Sequence, residues 1–204
     1  MPSAGFFGHL GMFVAPHFID AAGCASLRQE LRLSPAVPAT ILDGKTNQLA
    51  IDEAQRKTLA AKVSAQTQSM VTQRLLALKP SLERHFAVEL TGCEPVSFLR
   101  YEPGAYFVRH LDAAPRPQAP ASFRQRRVSI SVFLNGEGAA AEIDTYTGGA
   151  LVFHRSPDPG YDAKHPGIAL LGEEGLLVGF QSLWPHEVQP VRRGTRYSIV
   201  TWFY

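Results

Sequence analysis

From residue 186 to residue 204 the chain reads HEVQPVRRGTRYSIVTWFY. Within this stretch, residues 196–203 alternate between two sets of side chains, and successive residues of a β-strand point to opposite faces of a sheet. One face carries Arg196, Ser198, Val200 and Trp202, and the other carries Tyr197, Ile199, Thr201 and Phe203. The alternation predicts one long strand, with one largely apolar face and one face that also carries a charge.

The same alternation occurs in short segments throughout the chain after Pro95, and turn residues separate them. These segments are VSFLRY, AYFVRHLD, RRVSISVFLN, GGALVF, GIALL, GLLVGF, HEVQPV and TRYSIVTWFY. Because no helical pattern lies between them, a parallel α/β sheet is disfavoured. The pattern predicts a double-stranded β-helix, or jelly roll, over residues 95–204.

Residues 1–94 show helical patterns instead. Asp20 is the predicted N-cap of a first helix, and a broad apolar face over residues 52–79 predicts a longer helix that Pro80 ends. We expect a single domain of class α+β, in which the helices of residues 1–94 support the catalytic core of residues 95–204 and pack on one of its sheets.

Composition excludes several classes of protein. Apolar residues make up 45% of the 204 residues and charged residues 19%, which excludes bulk disorder and collagen. A formal charge of +2 is too small for a dedicated nucleic-acid binder. No apolar stretch is long enough to span a membrane. The two cysteines, Cys24 and Cys93, form no metal-binding motif, and we expect a reducing, cytoplasmic location without a signal peptide.

His110 and Asp112 form an H-x-D motif in a predicted strand, where residues two apart project from one face. His186 lies between two other predicted strands. Two imidazoles and one carboxylate on one face of a barrel form a 2-His-1-carboxylate triad, which favours non-haem Fe(II). The triad predicts a catalytic metal site, and a structural polar cluster is the alternative.

Arg196 begins the predicted last strand, ten residues after His186. If the guanidinium faces inwards it needs a partner, because burying it without a counter-charge costs several kcal/mol. A carboxylate would accept two parallel hydrogen bonds from it. The position therefore favours a dicarboxylate cosubstrate.

Four segments together resemble the Fe(II) and 2-oxoglutarate dependent dioxygenases of the prolyl-4-hydroxylase type. They are RYEPGAYFVRHLD, RRVSISVFLN, GGALVF and HEVQPVRRGTRYSIVTWFY. The resemblance implies that His110, Asp112 and His186 are the iron ligands. It also implies that Arg196 pairs with the distal carboxylate of 2-oxoglutarate.

The resemblance assigns further residues around the cosubstrate and the substrate. Tyr101, in the Y-x-P-G motif, matches a tyrosine that binds or lines the cosubstrate pocket, and Arg109 and Trp202 match residues that shape the substrate side. Phe133 stands where the oxygen-sensing members have a tyrosine that donates to the 2-oxoglutarate carboxylate. Tyr101 or Ser198 is expected to replace that donor.

The implied activity is hydroxylation with Fe(II), 2-oxoglutarate and O2, with ascorbate as an optional reductant, and with release of CO2 and succinate. The expected substrate is a proline or another residue in a peptide or protein. A hydroxylase of a free amino acid or small metabolite fits the same residues, and so does a cupin-like barrel that binds a metal or ligand without turnover. Demethylation of nucleic-acid bases is disfavoured because the net charge is close to zero, and the oligomeric state is left open.

Two segments interrupt the predicted strands. AAPRPQAPASFRQRR, residues 113–127, combines prolines with arginines, and its part from 113 to 125 is expected to act as a lid. Its basic end is either a solvated face or a surface that attracts an anionic substrate. HRSPDPGYDAKHPGIALLGEEG, residues 154–175, is longer than the usual link in the family and leaves the substrate open.

Overall fold

The computed structural model describes residues 4–138, 144–158 and 167–204. The helices are α1 (Ala4–His9), α2 (Ala21–Leu33), α3 (Ala65–Ala77), α4 (Lys79–Phe86) and α5 (Ala121–Gln125). The first eight strands are β1 (Phe13–Ala15), β2 (Ala36–Pro38), β3 (Ile41–Leu42), β4 (Leu49–Ala50), β5 (Arg56–Lys57), β6 (Leu59–Ala61), β7 (Ser97–Tyr101) and β8 (Tyr106–His110). The remaining strands are β9 (Val128–Phe133), β10 (Thr147–Gly148), β11 (Leu151–Phe153), β12 (Ile168–Leu170), β13 (Leu177–Gln181), β14 (His186–Val188), β15 (Val191–Arg193) and β16 (Arg196–Phe203).

Two antiparallel sheets form the frame of the molecule. The major sheet has the strand order β1-β13-β9-β16-β7-β6-β2, and the minor sheet has the order β12-β11-β14-β8-β5. Two short pairs, β3-β4 and β10-β15, lie outside them. All eight segments predicted as strands contain strands, so the double-sheet prediction for residues 95–204 is confirmed.

Helices α2, α3 and α4 pack on the outer face of the major sheet. The side chain of Asp20 accepts a hydrogen bond from the Gly23 N–H at 2.7 Å, as the N-cap prediction requires. Helix and strand residues form one buried cluster: Cys24, Leu27, Leu31, Val71, Leu75 and Leu82 from helices, and Phe98, Val128, Ile130, Val132, Leu177, Tyr197, Ile199 and Phe203 from strands. Helices stacked on one sheet are therefore confirmed.

A second apolar cluster lies between the two sheets. It contains Leu99, Phe133, Val178 and Phe180 from the major sheet and Leu151, Phe153 and Val188 from the minor sheet. β16 separates the two clusters as its alternation predicts, because Ile199 lies in the helix-side cluster and Val200 packs against the cluster between the sheets. The inner face of β16 consequently points into the barrel.

The continuous helix predicted over residues 52–79 is wrong. α3 begins only at Ala65, and residues 56–61 form β5 and β6 instead. Ala60 pairs with Leu99 on β7, so the backbone here is held extended by a neighbouring strand. Pairing of the backbone with an existing sheet outweighs the helix propensity of an alanine-rich segment.

The region 1–94 therefore contains strands as well as helices. β1, β2 and β6 extend the major sheet, and β5 extends the minor sheet. Pro80 lies in the first turn of α4, where a missing N–H breaks no intrahelical bond, just after α3 has ended at Ala77. The sheets thus continue across the boundary expected at residue 94.

The predicted insertion over residues 154–175 contains β12, which forms the edge of the minor sheet. Residues 159–166 of this insertion lie outside the described residues. No helix in the described ranges has the length and apolar character needed to cross a membrane.

Candidate active site

His110 and His186 lie side by side on two paired strands. The Cα of His110 on β8 pairs with that of His186 on β14, whereas Phe107 pairs with Val188. Between these two pairs lie two residues of β8 but only one residue of β14, so β8 carries a β-bulge. The bulge turns Phe107 and His110 to the same side, where their rings stack with centroids 3.5 Å apart.

Asp112 follows the end of β8, in the loop that leads to α5. The N–H groups of Asp112 and Ala113 both donate to the carbonyl of Ser182 at 3.0 Å, which holds the loop in place. The carboxylate lies between the two rings, with Oδ1 3.6 Å from Nε2 of His110 and Oδ2 3.5 Å from Nε2 of His186. The H-x-D spacing thus brings both side chains to one point.

Backbone carbonyls orient both imidazoles. Nδ1 of His110 lies 2.8 Å from the carbonyl of Val108, and Nδ1 of His186 lies 2.8 Å from the carbonyl of Trp184. A carbonyl only accepts, so each Nδ1 carries the hydrogen and donates it. The Nε2 atom of each ring therefore faces Asp112. In metal-binding histidines, a hydrogen bond at the other ring nitrogen fixes the orientation of the ring in the same way.

The surroundings of the triad also set its protonation. Burial alone would raise the pKa of Asp112, but His186 and His110 beside it more than offset burial and hold that pKa far below its ordinary value. Burial, followed by the charge of His110, lowers the pKa of His186 to about 4, although Asp112 opposes this. At neutral pH the site therefore holds an ionised carboxylate and a neutral His186, the forms that bind a metal ion.

The donor atoms of the three residues fit a metal ion. All of them lie within 4.8 Å of one another. Two imidazole nitrogens and one carboxylate form the donor set that suits non-haem Fe(II) and leaves coordination positions open for other ligands. The residues present are thus compatible with iron.

A narrow space of about 50 Å³ leads from the triad to Arg196, and we call it the inner chamber. Besides the triad, its walls include Tyr101, Ser131, Leu151, Arg196, Ser198 and Val200. It lies between the two sheets, and β16 supplies Arg196 and Ser198 on one face, as the alternation predicts.

Arg196 is 1% exposed, and its guanidinium lies against two aromatic rings. It lies 4.9 Å from the ring centroids of both Tyr101 and Phe133, and its Nη1 donates to the Ser198 hydroxyl at 3.2 Å. The buried Nε has no hydrogen-bond partner. Among the described residues no carboxylate pairs with this charge, so Arg196 fits a carboxylate of a bound ligand.

Tyr146 is a further polar group beside Arg196, and the sequence analysis missed it. Its side chain is buried, and burial raises the pKa of its hydroxyl, an effect that the charge of Arg196 offsets only in part. Tyr146 packs in the same cluster as Phe133. The only sequence signal was an aromatic residue just before the paired glycines.

Gly149 allows the chain to pass close to Arg196. It adopts φ of +69°, and a Cβ at this position would lie 2.9 Å from Cγ2 of Val191 and 3.2 Å from Cδ of Arg196. Any larger residue would be strained in its backbone and would press on both side chains. Gly149, the second glycine of the GGALVF segment, therefore leaves the space that the Arg196 side chain occupies.

A second space of about 850 Å³ opens on the other side of the triad, and we call it the outer cavity. Its walls include Pro38, Ile41 and Leu49 from the β2–β4 segment, Ala113, Arg116 and Phe123 from the loop after Asp112, and Trp202. Arg56, Leu99, Phe107, His110, Asp112 and Trp202 line both spaces. His110 and Asp112 thus lie where the inner chamber meets the outer cavity, and His186 lines the inner chamber.

Arg126 connects the wall of the outer cavity to a member of the triad. Its guanidinium lies between the rings of Phe123 and Trp202, 3.9 and 3.8 Å from their centroids. Nε and Nη2 donate to the two carboxylate oxygens of Glu94 at 2.6 and 2.8 Å. Nη1 donates to the backbone carbonyl of Asp112 at 2.9 Å. This part of the basic run at 124–127 is therefore a buried, neutralised cluster and not a solvated face.

Arg109 lies apart from these groups. It lines neither the inner chamber nor the outer cavity, and its guanidinium donates to the backbone carbonyls of Ser156 and Asp158 at 3.3 and 3.1 Å. The other predicted site residues, His110, Asp112, His186, Arg196, Tyr101, Ser198 and Trp202, all line the inner chamber.

The sequence analysis also missed two parts of the outer cavity. Arg56 lies on β5, which the predicted helix concealed, and Glu94 lies in a loop with no recognisable pattern. The arginine run at 124–127 gave a signal for Arg126, but nothing in the sequence showed that Glu94 would pair with it.

Residues 96–204 match the family model of the 2OG-Fe(II) oxygenase superfamily. The matched range covers more than half of the chain and includes the whole triad and Arg196.

Curated relatives match over the same part of the chain. A PKHD-type hydroxylase of Thermosynechococcus vestitus is 32% identical over 108 residues, and one of Bordetella pertussis is 34% identical over 108 residues. Each match covers 53% of this chain and 42% of the relative. The chain therefore spans less than half the length of these relatives.

Solved structures match over nearly the whole chain. A prolyl-4-hydroxylase of Pseudomonas putida has a TM-score of 0.62 and 26% identity, with 95% of this chain and 91% of that chain covered. A prolyl hydroxylase of Trichoplax adhaerens, in complex with a peptide fragment of hypoxia inducible factor, has a TM-score of 0.67 and 16% identity, with coverages of 98% and 86%. The second likeness shows a shared fold.

Proposed function

The chain belongs to the 2OG-Fe(II) oxygenase superfamily, and from this premise we propose that it hydroxylates a C–H bond of a prolyl or other residue in a peptide or protein. The observation that carries the proposal is the convergence of His110, Asp112 and His186 beside the buried guanidinium of Arg196. When bound, iron and 2-oxoglutarate supply the oxidising chemistry, which consumes O2 and yields CO2 and succinate.

The chain's own residues bind and orient these groups. Nε2 of His110, Nε2 of His186 and the Asp112 carboxylate would hold the iron, because a backbone carbonyl already engages the Nδ1–H of each imidazole. Arg196 pairs with the distal carboxylate of 2-oxoglutarate, and Ser198 stays within hydrogen-bond distance of that guanidinium. Tyr101 and Ser198 line the chamber, and one of them replaces the tyrosine donor that the oxygen-sensing members have at the position of Phe133.

The outer cavity is the proposed substrate site. A volume of about 850 Å³ is ample for several residues of a peptide. Val37 and Leu49 on its rim are 63% and 62% exposed, so the cavity is accessible from outside. Trp202 forms part of its wall, and the 113–125 loop acts as its lid. The name of the Pseudomonas putida enzyme, a prolyl-4-hydroxylase, agrees with a prolyl substrate.

The buried cluster between helices and major sheet joins residues on both sides of position 94, which supports a single domain with its catalytic core at 95–204. We place Arg109 at the substrate side through the segment at 156–158, which it holds by hydrogen bonds. We also propose that the protein is cytoplasmic and that ascorbate is an optional reductant.

Incubation of the full chain with Fe(II), 2-oxoglutarate, O2 and two libraries, one of proline-containing peptides and one of free amino acids and small metabolites, tests this function. We expect succinate together with a peptide that has gained the mass of one oxygen atom. If only free amino acids or metabolites gain oxygen, the substrate proposal is wrong. If no succinate forms with any substrate or without one, the barrel is a non-catalytic binding protein.

A further inference from the structure

Three guanidiniums line the outer cavity, and they differ in how their charge is balanced. Arg126 is paired through two hydrogen bonds with the carboxylate of Glu94. Arg56 and Arg116 line the same cavity, and neither pairs with a carboxylate among the described residues. Two positive charges therefore face the space where the substrate is proposed to bind.

Arg56 is the deeper of the two. It lies on β5 opposite Phe107 on β8, and its guanidinium carbon is 4.8 Å from the centroid of that ring. The other face of Phe107 stacks on the imidazole of His110. One ring thus separates the guanidinium from a proposed iron ligand, so a group bound by Arg56 would lie close to the reacting carbon.

Arg56 retains capacity to bind a ligand. Its Nη1 donates to the carbonyl of Thr40 at 3.0 Å, which fixes the side chain across the cavity wall. Its buried Nε has no hydrogen-bond partner. A half-buried guanidinium held in this way is pre-organised for a carboxylate, because little side-chain freedom is left to lose on binding.

Arg116 lies at the exposed rim, on the loop after Asp112. Its Nε donates to Oδ1 of Asn47 at 3.2 Å, so it bridges the loop and the β3–β4 turn. Among the described residues along this cavity, the only acidic side chains are Glu94, which is neutralised, and Asp112, which belongs to the metal site. The positive charge is therefore not balanced within the cavity.

We propose that the peptide substrate presents a carboxylate, from an aspartate or glutamate beside the hydroxylated residue, to Arg56, and that Arg116 at the rim adds to the attraction. The inference rests on the proposed function and deepens it, since it specifies the class of peptide. Electrostatic complementarity of this kind contributes chiefly to selectivity and to the rate of association.

Matched peptides test the inference by binding, independently of turnover. The peptides are fluorescently labelled and have one central proline, with either Glu or Gln placed at each flanking position in turn. The full chain is loaded with Mn(II) instead of Fe(II), together with 2-oxoglutarate, so that the peptide binds but is not hydroxylated. We expect the Glu peptide to bind about fivefold or more tightly than its Gln partner at one flanking position. In Arg56→Gln this ratio falls to about one, and in Arg56→Lys, which keeps the charge but loses the planar fork, it lies between those of Arg56→Gln and the unmodified chain.

Arg74→Gln is the matched control, because Arg74 is exposed on α3 and lines neither space. It should leave the Glu-to-Gln ratio unchanged. With Fe(II) and O2, Arg56→Gln should raise the KM for the Glu peptide and leave kcat and the KM for 2-oxoglutarate unchanged. The unchanged KM for 2-oxoglutarate also shows that the variant is folded.

Three outcomes overturn the inference: equal binding of Glu and Gln peptides at every position, no binding of any Glu peptide, or an Arg56→Gln variant whose main defect is the KM for 2-oxoglutarate. Failure of the proposed function gives a different result. In that case the Glu preference and its dependence on Arg56 are present, but no peptide gains an oxygen atom.

Discussion

The inner chamber and the outer cavity share His110 and Asp112 in a common wall, yet they are built from different parts of the chain. The inner chamber is formed by long strands in regular register, with Arg196 and Ser198 on one face of β16. The outer cavity is formed by the short β2–β4 segment, the loop after Asp112 and single residues such as Glu94. The difference suggests that the chemistry depends on the frame, whereas substrate selection depends on the segments attached to it.

The largest effect is expected at the metal site. His186→Ala removes one of three ligands, so we expect the affinity for Fe(II) to fall by at least about 100-fold and succinate formation to become undetectable. Titration of the protein with Fe(II) under anaerobic conditions measures the affinity directly. The control is His9→Ala, an exposed histidine far from the site in sequence. Unchanged iron affinity in His186→Ala would contradict the site.

Arg126→Gln tests whether the wall of the outer cavity is a buried ion pair. The change leaves the Glu94 carboxylate mostly buried without its partner, and we expect a loss of about 3 kcal/mol in the free energy of unfolding, measured by denaturant titration. Arg127→Gln is the neighbouring control, because that side chain is exposed, and it should change stability by less than about 0.5 kcal/mol. Equal stability of the two variants would show that the cluster contributes nothing.

Arg196→Gln separates the inner chamber from the outer cavity. Loss of a charge-assisted pair should raise the KM for 2-oxoglutarate about tenfold or more while the KM for the peptide stays the same. Succinate formation at varied 2-oxoglutarate concentration measures this. Arg193→Gln, at an exposed position on β15, is the control. If the peptide KM rises instead, Arg196 faces the substrate and the assignment of the two spaces is reversed.

The pH dependence of the metal-free protein tests the electrostatics of the triad. His186 has its pKa lowered to about 4 in the fold, whereas an unfolded chain binds that proton near pH 6.5. The unfolded state then binds more protons between these values, so stability falls as pH drops through this window, by about 1 kcal/mol per pH unit at the steepest point. His186→Gln should flatten this part of the profile, and a profile identical to that of the unmodified chain would contradict the lowered pKa.

The smallest effect is expected at the rim of the outer cavity. Leu49→Ser replaces an exposed side chain, so stability should change by less than about 0.5 kcal/mol, while the KM for a peptide substrate rises about twofold to fivefold. Leu33→Ser is the control, because Leu33 is 78% exposed and does not line the cavity. A rise in the KM for 2-oxoglutarate in Leu49→Ser would weaken the distinction between the two spaces.

The same contrast explains what could be predicted from the sequence. The faces of β16 and the convergence of His110 with Asp112 follow from the two-residue period of a strand, which is a local property. The separation of Arg196 and Ser198 from the helix-side cluster follows from the same rule. The frame and the inner chamber were therefore largely predictable.

The outer cavity was not predictable because it depends on pairing between distant segments. Residues 56–61 have helical composition and become extended only through their contacts with β7 and β8. The bulge that turns Phe107 towards the site arises from the pairing of β8 with β14. Glu94 contacts Arg126 only in the folded barrel, because the two residues are 32 positions apart in the sequence. Interactions across long stretches of chain leave no period in the sequence.

Anomalous diffraction at the iron edge, from crystals loaded anaerobically with Fe(II) and 2-oxoglutarate, tests the central claim most directly. The account predicts a single iron peak between Nε2 of His110, Nε2 of His186 and the Asp112 carboxylate, with density for the dicarboxylate ending at the guanidinium of Arg196. An iron peak elsewhere, or a dicarboxylate bound in the outer cavity, would contradict it.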